Sequence, residues 1–272
     1  MAGVHFTEDQ STNLATLYGR ALDARAAHPV LGDATAEDAV RRIDYDFGKF
    51  KVSKNDAFGI AARGKVFDQF VQGFIARHDE CTVVHLGAGM DSRVFRIDPP
   101  ATVRWFDVDF PDVIDLRRQV YPERDNTTML AASVTSPGWL DAVADDRPTL
   151  VVAEGLTMYL TPSDGRELFR RVVEHFSGGE VFFDAYSKLG IKSQKTNAIV
   201  RRAKATLRWG IDDPQELAEV GLTLVSAQTA DAFVPKEAWA RLPVAVRVAF
   251  RAMLSVPMLR NMGKLLHYRF GA

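Results

Sequence analysis

The sequence contains a single cysteine among 272 residues, and that scarcity excludes several classes of protein. One thiol, Cys81, allows neither an internal disulfide nor a metal site built from several cysteines. Its place at the start of an apolar run indicates a small core residue rather than a nucleophile. The six histidines show no H-E-x-x-H or comparable spacing, so no metal site is expected.

Long apolar runs are also missing. No run approaches the roughly 20 residues that cross a bilayer. The first twenty residues contain Glu8, Asp9 and Gln10 and lack the apolar segment of a signal peptide, so a cytoplasmic protein without membrane contact is predicted. The net charge of −1 provides no overall field that would attract nucleic acid, and no nucleic-acid partner is expected.

The order of predicted elements indicates the fold class. Helices are predicted at 8–26 and 57–77, so the first 78 residues are mostly helical. Short β-rich runs then alternate with helical stretches, and the strands are predicted at 81–86, 102–108, 127–132, 149–153, 180–185, 222–227 and 265–270. This alternation predicts an α/β protein with a doubly wound, mainly parallel sheet. A last strand inserted antiparallel beside the sixth would complete seven.

We expect one domain over residues 1–272, with a helical cap at 1–78 and a Rossmann-like core at 79–272. Local signals support the core helices. Thr161 and Pro162 are typical of a helix start. Asp213 begins a second short helix, with Glu216 placed for a capping box and Gly221 ending it.

A basic stretch at 186–212 has three interpretations. It carries Lys188, Lys192, Lys195, Arg201, Arg202, Lys204 and Arg208. A solvated helix face is the plainest interpretation. A lid over an acidic substrate is the more specific interpretation. Contact with nucleic acid is the least favoured, because few aromatic residues are interleaved.

The run VVHLGAGMDSR at 83–93 is the most informative motif. An apolar strand ends there at a Gly-x-Gly turn, and glycines let a ligand approach the backbone closely. About twenty residues later a second strand ends in Asp107 and Asp109, where an acid is placed to bind ribose hydroxyls. Together these features predict a nucleoside cofactor at the carboxyl ends of a parallel sheet.

The cofactor is better matched by S-adenosylmethionine than by NAD. The dinucleotide fingerprint needs a third glycine where this chain has Ser92, and an anionic Asp91 would repel a pyrophosphate. S-adenosylmethionine has no phosphate and carries a sulfonium cation. A further acid, Glu154, follows an apolar strand and is placed either to receive the cofactor's ammonium and favour its sulfonium, or simply to end the strand in solvent.

Five stretches occur in the order found in one family. They are LYGRAL at 17–22, RIDYDF at 42–47, LGAGMDSR at 86–93, FDVDFP at 106–111 and EGLTMYL at 154–160. The chain thereby resembles the leucine carboxyl methyltransferase family within the class I S-adenosylmethionine-dependent methyltransferases. More narrowly, it is similar to the bacterial branch of tetracenomycin-type polyketide carboxyl O-methyltransferases.

The resemblance implies roles for individual residues. Gly87, Ala88 and Gly89 would line the methionine part of the cofactor, and Glu154 would border its tail. Arg63 would reach the cofactor carboxylate. Strand alternation alone does not separate Asp107 from Asp109, and the resemblance selects Asp109 as the ribose ligand.

The chain departs from the family at the adenine site. Much of the family has an Asp-Leu pair where this chain has Ser133 and Val134. Ser133 still accepts a hydrogen bond, but without the charge that strengthens such a bond. The resemblance therefore predicts adenine contact here that is weaker or made partly by backbone.

The expected chemistry is transfer of a methyl group to oxygen. A carboxylate is ionised at neutral pH and needs orientation and desolvation rather than a base. Candidates for positioning the acceptor are Tyr18, Arg20, Tyr159, Tyr186 and Arg202. The predicted function is an O-methyltransferase acting on the carboxylate of a small secondary metabolite such as a polyketide.

Three alternatives stay open at this point. One is a protein C-terminal carboxyl methyltransferase, and another is a cofactor-binding module that has lost catalysis. A nicotinamide-dependent oxidoreductase is the third. The sequence does not predict an oligomeric state.

Overall fold

The strands of the molecule form a small pair and a large sheet. The computed structural model describes residues 2–3, 11–194 and 205–271. Strands β1 (Ala2–Gly3) and β2 (Ile43–Asp44) pair in parallel. The large sheet contains β3 (Cys81–Leu86), β4 (Val103–Asp109), β5 (Thr127–Ala131), β6 (Thr149–Ala153), β7 (Gly178–Tyr186), β8 (Thr223–Thr229) and β9 (Gly263–Gly271). Their order across the sheet is β5-β4-β3-β6-β7-β9-β8.

This topology confirms the predicted α/β class. Each of the seven predicted strands is present, with ends within about two residues of the prediction, an ordinary uncertainty for element boundaries. The inserted last strand is also confirmed, because β9 lies between β7 and β8 and runs antiparallel to both. The remaining neighbours pair in parallel.

Both faces of the sheet are covered. Every residue of β3 is buried, as expected for a central parallel strand between two helical layers. Val83 faces a cluster that includes Phe67 and Phe74, whereas Val84 faces a cluster that includes Phe169 on the opposite side. The period-2 alternation of strand side chains therefore divides the core into two halves.

The helices of the described residues are short except for three. They are α1 (Ser11–Ala24), α2 (Ala34–Arg42), α3 (Lys54–Ile75), α4 (Arg93–Ile97), α5 (Pro111–Val120), α6 (Pro162–His175), α7 (Lys188–Lys192), α8 (Lys236–Arg241), α9 (Val244–Leu254) and α10 (Pro257–Arg260). The two helices predicted before residue 78 correspond to α1 and α3, although residues 8–10 of the first prediction lie outside the described residues.

Capping residues explain where several helices begin. Ser53 and Asp56 form a reciprocal capping box at the start of α3. The predicted start of α6 is confirmed, with the Thr161 hydroxyl accepting from the Asp164 N–H at 3.1 Å. The capping box predicted at Glu216 is wrong. Asp213 instead accepts from the Gln215 N–H at 2.9 Å and begins a 3₁₀ helix, which Gly221 ends at φ +87° as predicted.

The stretch 186–212 is only partly described. Lys195, Arg201, Arg202 and Lys204 lie outside the described residues, so the lid interpretation stays a prediction. On either side, α7 leads out of β7, and Leu207 and Trp209 return to the core. A helical excursion was missed by the sequence analysis: the β8–β9 connection carries α8, α9 and α10. Across the described ranges, no helix is both long and apolar enough to cross a membrane.

Gly179 provides a test of the sheet packing. A Cβ at this residue would lie 2.0 Å from the carbonyl oxygen of Thr149 on the paired strand. Because backbone on a central strand cannot move aside, we expect Gly179→Ala to lower the free energy of unfolding by at least about 2 kcal/mol. Gly138→Ala is the control, since nothing lies within 4 Å of its Cβ. Urea denaturation measures both, and equal midpoints would contradict the packing described here.

Candidate active site

A cavity of about 920 Å³ opens at the carboxyl edge of the sheet. Its walls come from α1 and α3 of the helical cap, from the loops that follow β3 and β6, and from the β8–β9 connection. Clefts of this size at the strand ends of an open α/β sheet are the usual place for a small ligand. The cavity therefore lies where the sequence motifs predict a cofactor.

The Gly-x-Gly turn after β3 is held in a conformation that suits glycine. Gly87 has φ +60° and Gly89 has φ +50°. A Cβ on Gly89 would lie 2.8 Å from Oδ1 of Asn13, and one on Gly87 would lie 2.9 Å from Leu156. Both glycines and Ala88 line the cavity. A side chain at Gly89 would therefore clash with Asn13, and one at Gly87 would clash with Leu156.

The two acids at the end of β4 have different surroundings. Asp107 is fully buried and accepts from the Trp105 indole N–H at 2.8 Å. It also forms an ion pair with the Arg117 guanidinium. Burial alone would raise the pKa of Asp107, but Arg117, His85 and the Trp105 indole together lower it. Asp107 is thus committed to the interior of the fold.

Asp109 has no guanidinium within ion-pair distance among the described residues. Its carboxylate accepts from the Gly89 N–H at 2.6 Å and from the Phe110 N–H at 2.7 Å. Burial raises its pKa, and the two N–H donors only partly offset that effect. Because each carboxylate oxygen has a second lone pair, Asp109 keeps acceptor capacity for a ligand hydroxyl.

Buried ion pairs connect the cap to the sheet edge, and we call them the arginine–carboxylate network. The guanidinium groups and the carboxylates are linked at 3.4 Å or less. The arginines are Arg20, Arg63, Arg93 and Arg96, and the acids are Asp33, Asp68, Asp91, Glu154 and Asp184. With every member ionised, the network has one negative charge in excess.

Glu154 lies at the centre of this network. It accepts from Arg63 at 3.0 Å and from Arg20 at 3.4 Å, and it also contacts Arg93. Burial alone would raise its pKa, but the surrounding guanidinium groups lower it to about 2. Glu154 is therefore an anion inside the protein rather than the solvated strand end that was the alternative interpretation.

Asp184 is an acid on β7 that the sequence analysis missed. Its carboxylate accepts from Arg63 at 3.1 Å and from the Gly155 N–H at 2.6 Å, and it lines the cavity. Burial raises its pKa despite Arg63. The available signal was a carboxylate directly after the apolar residues Val181–Phe183 of β7.

His85 and two tyrosines complete the polar wall. Arginine only donates, so the 3.0 Å contact with Arg93 makes Nε2 of His85 an acceptor. Its other ring nitrogen lies 3.3 Å from Asp107. Tyr159 and Tyr186 both line the cavity, and their role in positioning the acceptor stays a prediction. Burial raises the pKa of Tyr159 to about 12, so its phenol stays protonated at neutral pH.

Two predicted positioning residues are placed differently from the prediction. Arg20 lines the cavity but is already paired with Asp91 and Glu154, so it does not present an unpaired guanidinium to a substrate. Tyr18 stacks on Phe47 with ring centroids 5.5 Å apart and is not part of the cavity wall. Arg202 lies outside the described residues.

Asp91 corrects one step of the cofactor argument. The expectation was that its negative charge would repel a pyrophosphate. Asp91 is instead paired with Arg20, Arg93 and Arg96, and although burial alone would raise its pKa, these groups lower it well below the ordinary value. Repulsion by an isolated Asp91 therefore does not exclude NAD.

The predicted adenine residues follow β5, beside Asp109. Asp109 pairs with Ala131 in the sheet, and Ser133 comes two residues later. The Ser133 hydroxyl lies 2.8 Å from that of Thr135 and accepts from the Thr135 N–H at 3.3 Å. Val134 is buried in the core. The 920 Å³ cavity does not extend to either residue.

The far wall of the cavity was not predicted. It is formed by apolar side chains from the β8–β9 connection, namely Phe233, Val234, Leu242, Pro243, Val246 and Phe250. A signal was present, because more than thirty residues separate β8 from β9 where adjacent antiparallel strands need only a short turn. From the sequence, the only segment considered as a substrate lid was 186–212.

Comparison with solved structures supports the fold. A DUF574 family protein from Streptomyces avermitilis superposes with a TM-score of 0.60 at 13% identity, over 97% of this chain and 100% of the other. The sheet order and the strand-end cavity define a class I methyltransferase-like fold.

Sequence comparison identifies the family. The family model described as leucine carboxyl methyltransferase matches residues 13–173, and the chain belongs to this family. It is 44% identical to the tetracenomycin polyketide synthesis O-methyltransferase TcmP of Streptomyces glaucescens, over 99% of this chain and 98% of that protein. It is 36% identical to the S-adenosyl-L-methionine-dependent methyltransferase dpfgK of Gibberella zeae, over 79% of each. The chain is therefore an S-adenosylmethionine-dependent methyltransferase.

Neutralising Glu154 should destabilise the fold. Because Glu154→Gln leaves buried guanidinium groups without their shared anion, we expect the free energy of unfolding to fall by about 3–5 kcal/mol. Glu174→Gln is the control, since Glu174 is an exposed partner of Arg170 and should cost less than about 1 kcal/mol. Urea unfolding at pH 7 measures both variants. Equal losses of unfolding free energy would show that Glu154 stabilises the fold no more than a surface acid does.

The wild type and Glu154→Gln should also differ in how their stability depends on acid pH. The folded-state pKa of Glu154 is lower than its ordinary value of 4.5, so its contribution is present above pH 4.5 and is lost as the pH falls through about 2. The loss amounts to about 3 kcal/mol in the wild type. Glu154→Gln should lack this component of the acid dependence, which unfolding curves between pH 5 and pH 2 measure.

Proposed function

We propose that the protein transfers a methyl group from S-adenosylmethionine to the carboxylate of a small secondary metabolite such as a polyketide, forming a methyl ester. The name of its relative TcmP supports a polyketide acceptor and an oxygen atom as the methyl's destination. The family description supports a carboxylate. The chain would act as one domain, with its cap closing the active site.

The charge of the site fits the proposed cofactor. S-adenosylmethionine carries a sulfonium, an ammonium and a carboxylate, and so has one net positive charge. The arginine–carboxylate network has one negative charge in excess, which makes the two complementary. Placed against the Gly87–Gly89 turn, the methionine tail would contact Glu154 and Arg63. Asp109 would hold the ribose hydroxyls, and Ser133 and Val134 would border the adenine.

One observation favours a carboxylate acceptor over a phenol. Three described groups of the cavity wall that could act as a general base are already committed. His85 has its acceptor nitrogen occupied by Arg93, and Tyr159 stays protonated. Asp184 is held in an ion pair with Arg63 at 3.1 Å. A phenol would need a base to activate it, whereas a carboxylate is already ionised.

The residues then act by holding charge and excluding water. S-adenosylmethionine supplies, when bound, a methyl group made electrophilic by sulfonium. A carboxylate oxygen of the acceptor would form a bond to the methyl carbon as the carbon–sulfur bond breaks, and the electron pair would stay on sulfur. No proton moves. The cap and the β8–β9 connection exclude water, which strengthens the attraction between the reacting charges.

The alkali stability of the product tests the acceptor chemistry. We expect purified enzyme with methyl-labelled S-adenosylmethionine and a panel of aromatic acids to form products that release labelled methanol in mild alkali. Methyl esters hydrolyse under these conditions and phenol ethers do not. The rate should stay flat between pH 6 and pH 9, because no base is needed. Alkali-stable products whose formation rises with pH would favour phenol methylation.

Asp109 tests the cofactor site. By removing the charge that accepts the ribose hydroxyls, Asp109→Asn should weaken S-adenosylhomocysteine binding about 10–100-fold. Asp115→Asn is the control, because Asp115 is exposed and pairs with Arg118 on the surface of α5. Isothermal titration measures both variants. Wild-type protein that binds no S-adenosylhomocysteine would overturn the proposal.

The alternatives are separated by the same assays. Methylation of peptides but of no small acid would indicate a protein C-terminal carboxyl methyltransferase. Cofactor binding without turnover on any acceptor would indicate a binding module, although Asp109 and Glu154 are both retained. A cytoplasmic location stays a prediction.

A further inference from the structure

The cavity has two ends of different character. One end contains the arginine–carboxylate network, with Glu154 and Asp184 exposed to the cavity beside Arg63. The other end is lined by apolar side chains of the β8–β9 connection and by Phe58 and Ile60 of α3, with the polar Lys54, Asn55 and Asp56 in the first turn of that helix. On the proposed function, the charged end takes the methionine tail of the cofactor, so the apolar end is left for the acceptor.

Lys54 is a cation of the cavity wall that the mechanism has not used. The other cations lining the described cavity, Arg20 and Arg63, are each within 3.4 Å of two carboxylates. Lys54 is exposed and forms no ion pair or hydrogen bond with any described residue. Its nearest acid along the chain, Asp56, has a carboxylate oxygen that accepts from the Ser53 N–H at 2.9 Å.

The stability of the helix does not explain a lysine at this position. Lys54 is the first residue of α3, directly after the N-cap Ser53. The N-terminal end of a helix is its positive end, where a cation is unfavourable. A lysine that neither stabilises its helix nor pairs with an acid is available for an anionic ligand in the cavity.

The position of Lys54 places it at the acceptor end. Arg63 follows nine residues later on the same helix, which separates the two backbones by about 13 Å along the helix axis. Arg63 marks the cofactor end through Glu154. The flexible four-carbon stem of a lysine gives its ammonium the reach to meet a ligand bound in the cavity that Lys54 lines.

We propose that Lys54 binds the carboxylate of the acceptor, and that the acceptor is an acid with an apolar, ring-sized body; this inference rests on the proposed function. The body would pack against Phe58, Met158, Phe233, Val246 and Phe250, which line the cavity. One carboxylate oxygen would contact the Lys54 ammonium and the other would attack the methyl carbon. The product ester is neutral and loses the attraction to Lys54, which favours its release.

Binding of 2-naphthoic acid and of its methyl ester tests this subsite. Isothermal titration would use protein saturated with S-adenosylhomocysteine. Since a charge-assisted contact is worth about ten-fold or more in affinity, the wild type should bind the acid at least that much more tightly than the ester. Lys54→Met should remove this preference by weakening the acid alone, and Lys54→Arg should keep most of it.

Lys65→Met is the matched control. Lys65 is on the same helix, and its replacement by Met removes the same charge. Lys65, however, lines a separate surface pocket. It should leave the preference for the acid intact, and S-adenosylhomocysteine affinity should be unchanged in all three variants. Equal binding of acid and ester by the wild type, including no binding of either, overturns the inference. So does a loss in Lys65→Met that matches the loss in Lys54→Met.

The two proposals fail in different ways. If the wild type binds no S-adenosylhomocysteine, the proposed function itself fails. If it binds S-adenosylhomocysteine but does not prefer the acid, only the assignment of Lys54 fails. If Lys54→Met weakens S-adenosylhomocysteine, Lys54 belongs to the cofactor end and the assignment is wrong.

Discussion

The buried arginine–carboxylate network is the constraint on which the rest of the structure depends. Its members come from the cap, from the loop after β3 and from the ends of β6 and β7, and most have almost no contact with solvent. A buried charge without a partner is strongly destabilising. Asp91 and Glu154 at the sheet edge therefore require positive partners. Arg20 on α1 and Arg63 on α3 supply two of these guanidinium groups. Cap and sheet are energetically one unit at this point, and the cavity is the space left between them.

The sheet was predictable because its signals are local. Short apolar runs with turn residues between them indicate parallel strands, whatever their partners. The network was not predictable, because its pairs join residues that are far apart in the chain, such as Arg20 with Glu154 or Arg63 with Asp184. Sequence reasoning found Arg20, Arg63 and Glu154 as separate candidates. Only the fold shows that they neutralise one another, which changes the role of Arg20 from substrate clamp to counter-ion.

Asp107 and Asp109 show the same limit within a single strand. They lie two residues apart on β4 and share a face of the sheet. Strand periodicity therefore does not distinguish which of them binds the ribose. Their difference comes from α5, where Arg117 pairs with Asp107 and leaves Asp109 to the Gly89 turn. The β8–β9 connection escaped prediction for another reason. On α9, Val246 and Phe250 line the cavity, but Val246 is exposed like Val244 and Val248, so hydrophobicity alone does not mark which face is inward.

Under the proposed function, the division of the cavity matches the charge change of the reaction. A carboxylate and a sulfonium, oppositely charged, become a neutral ester and a neutral sulfide. Attraction between the reacting charges is stronger where water is excluded, because the local dielectric constant is lower. The network's charges are already satisfied by fixed partners and do not need solvent around them. The apolar far wall can then exclude water from the acceptor, with Lys54 left to pair with the acceptor carboxylate, and the chemistry is left to the two charges that the reaction itself removes.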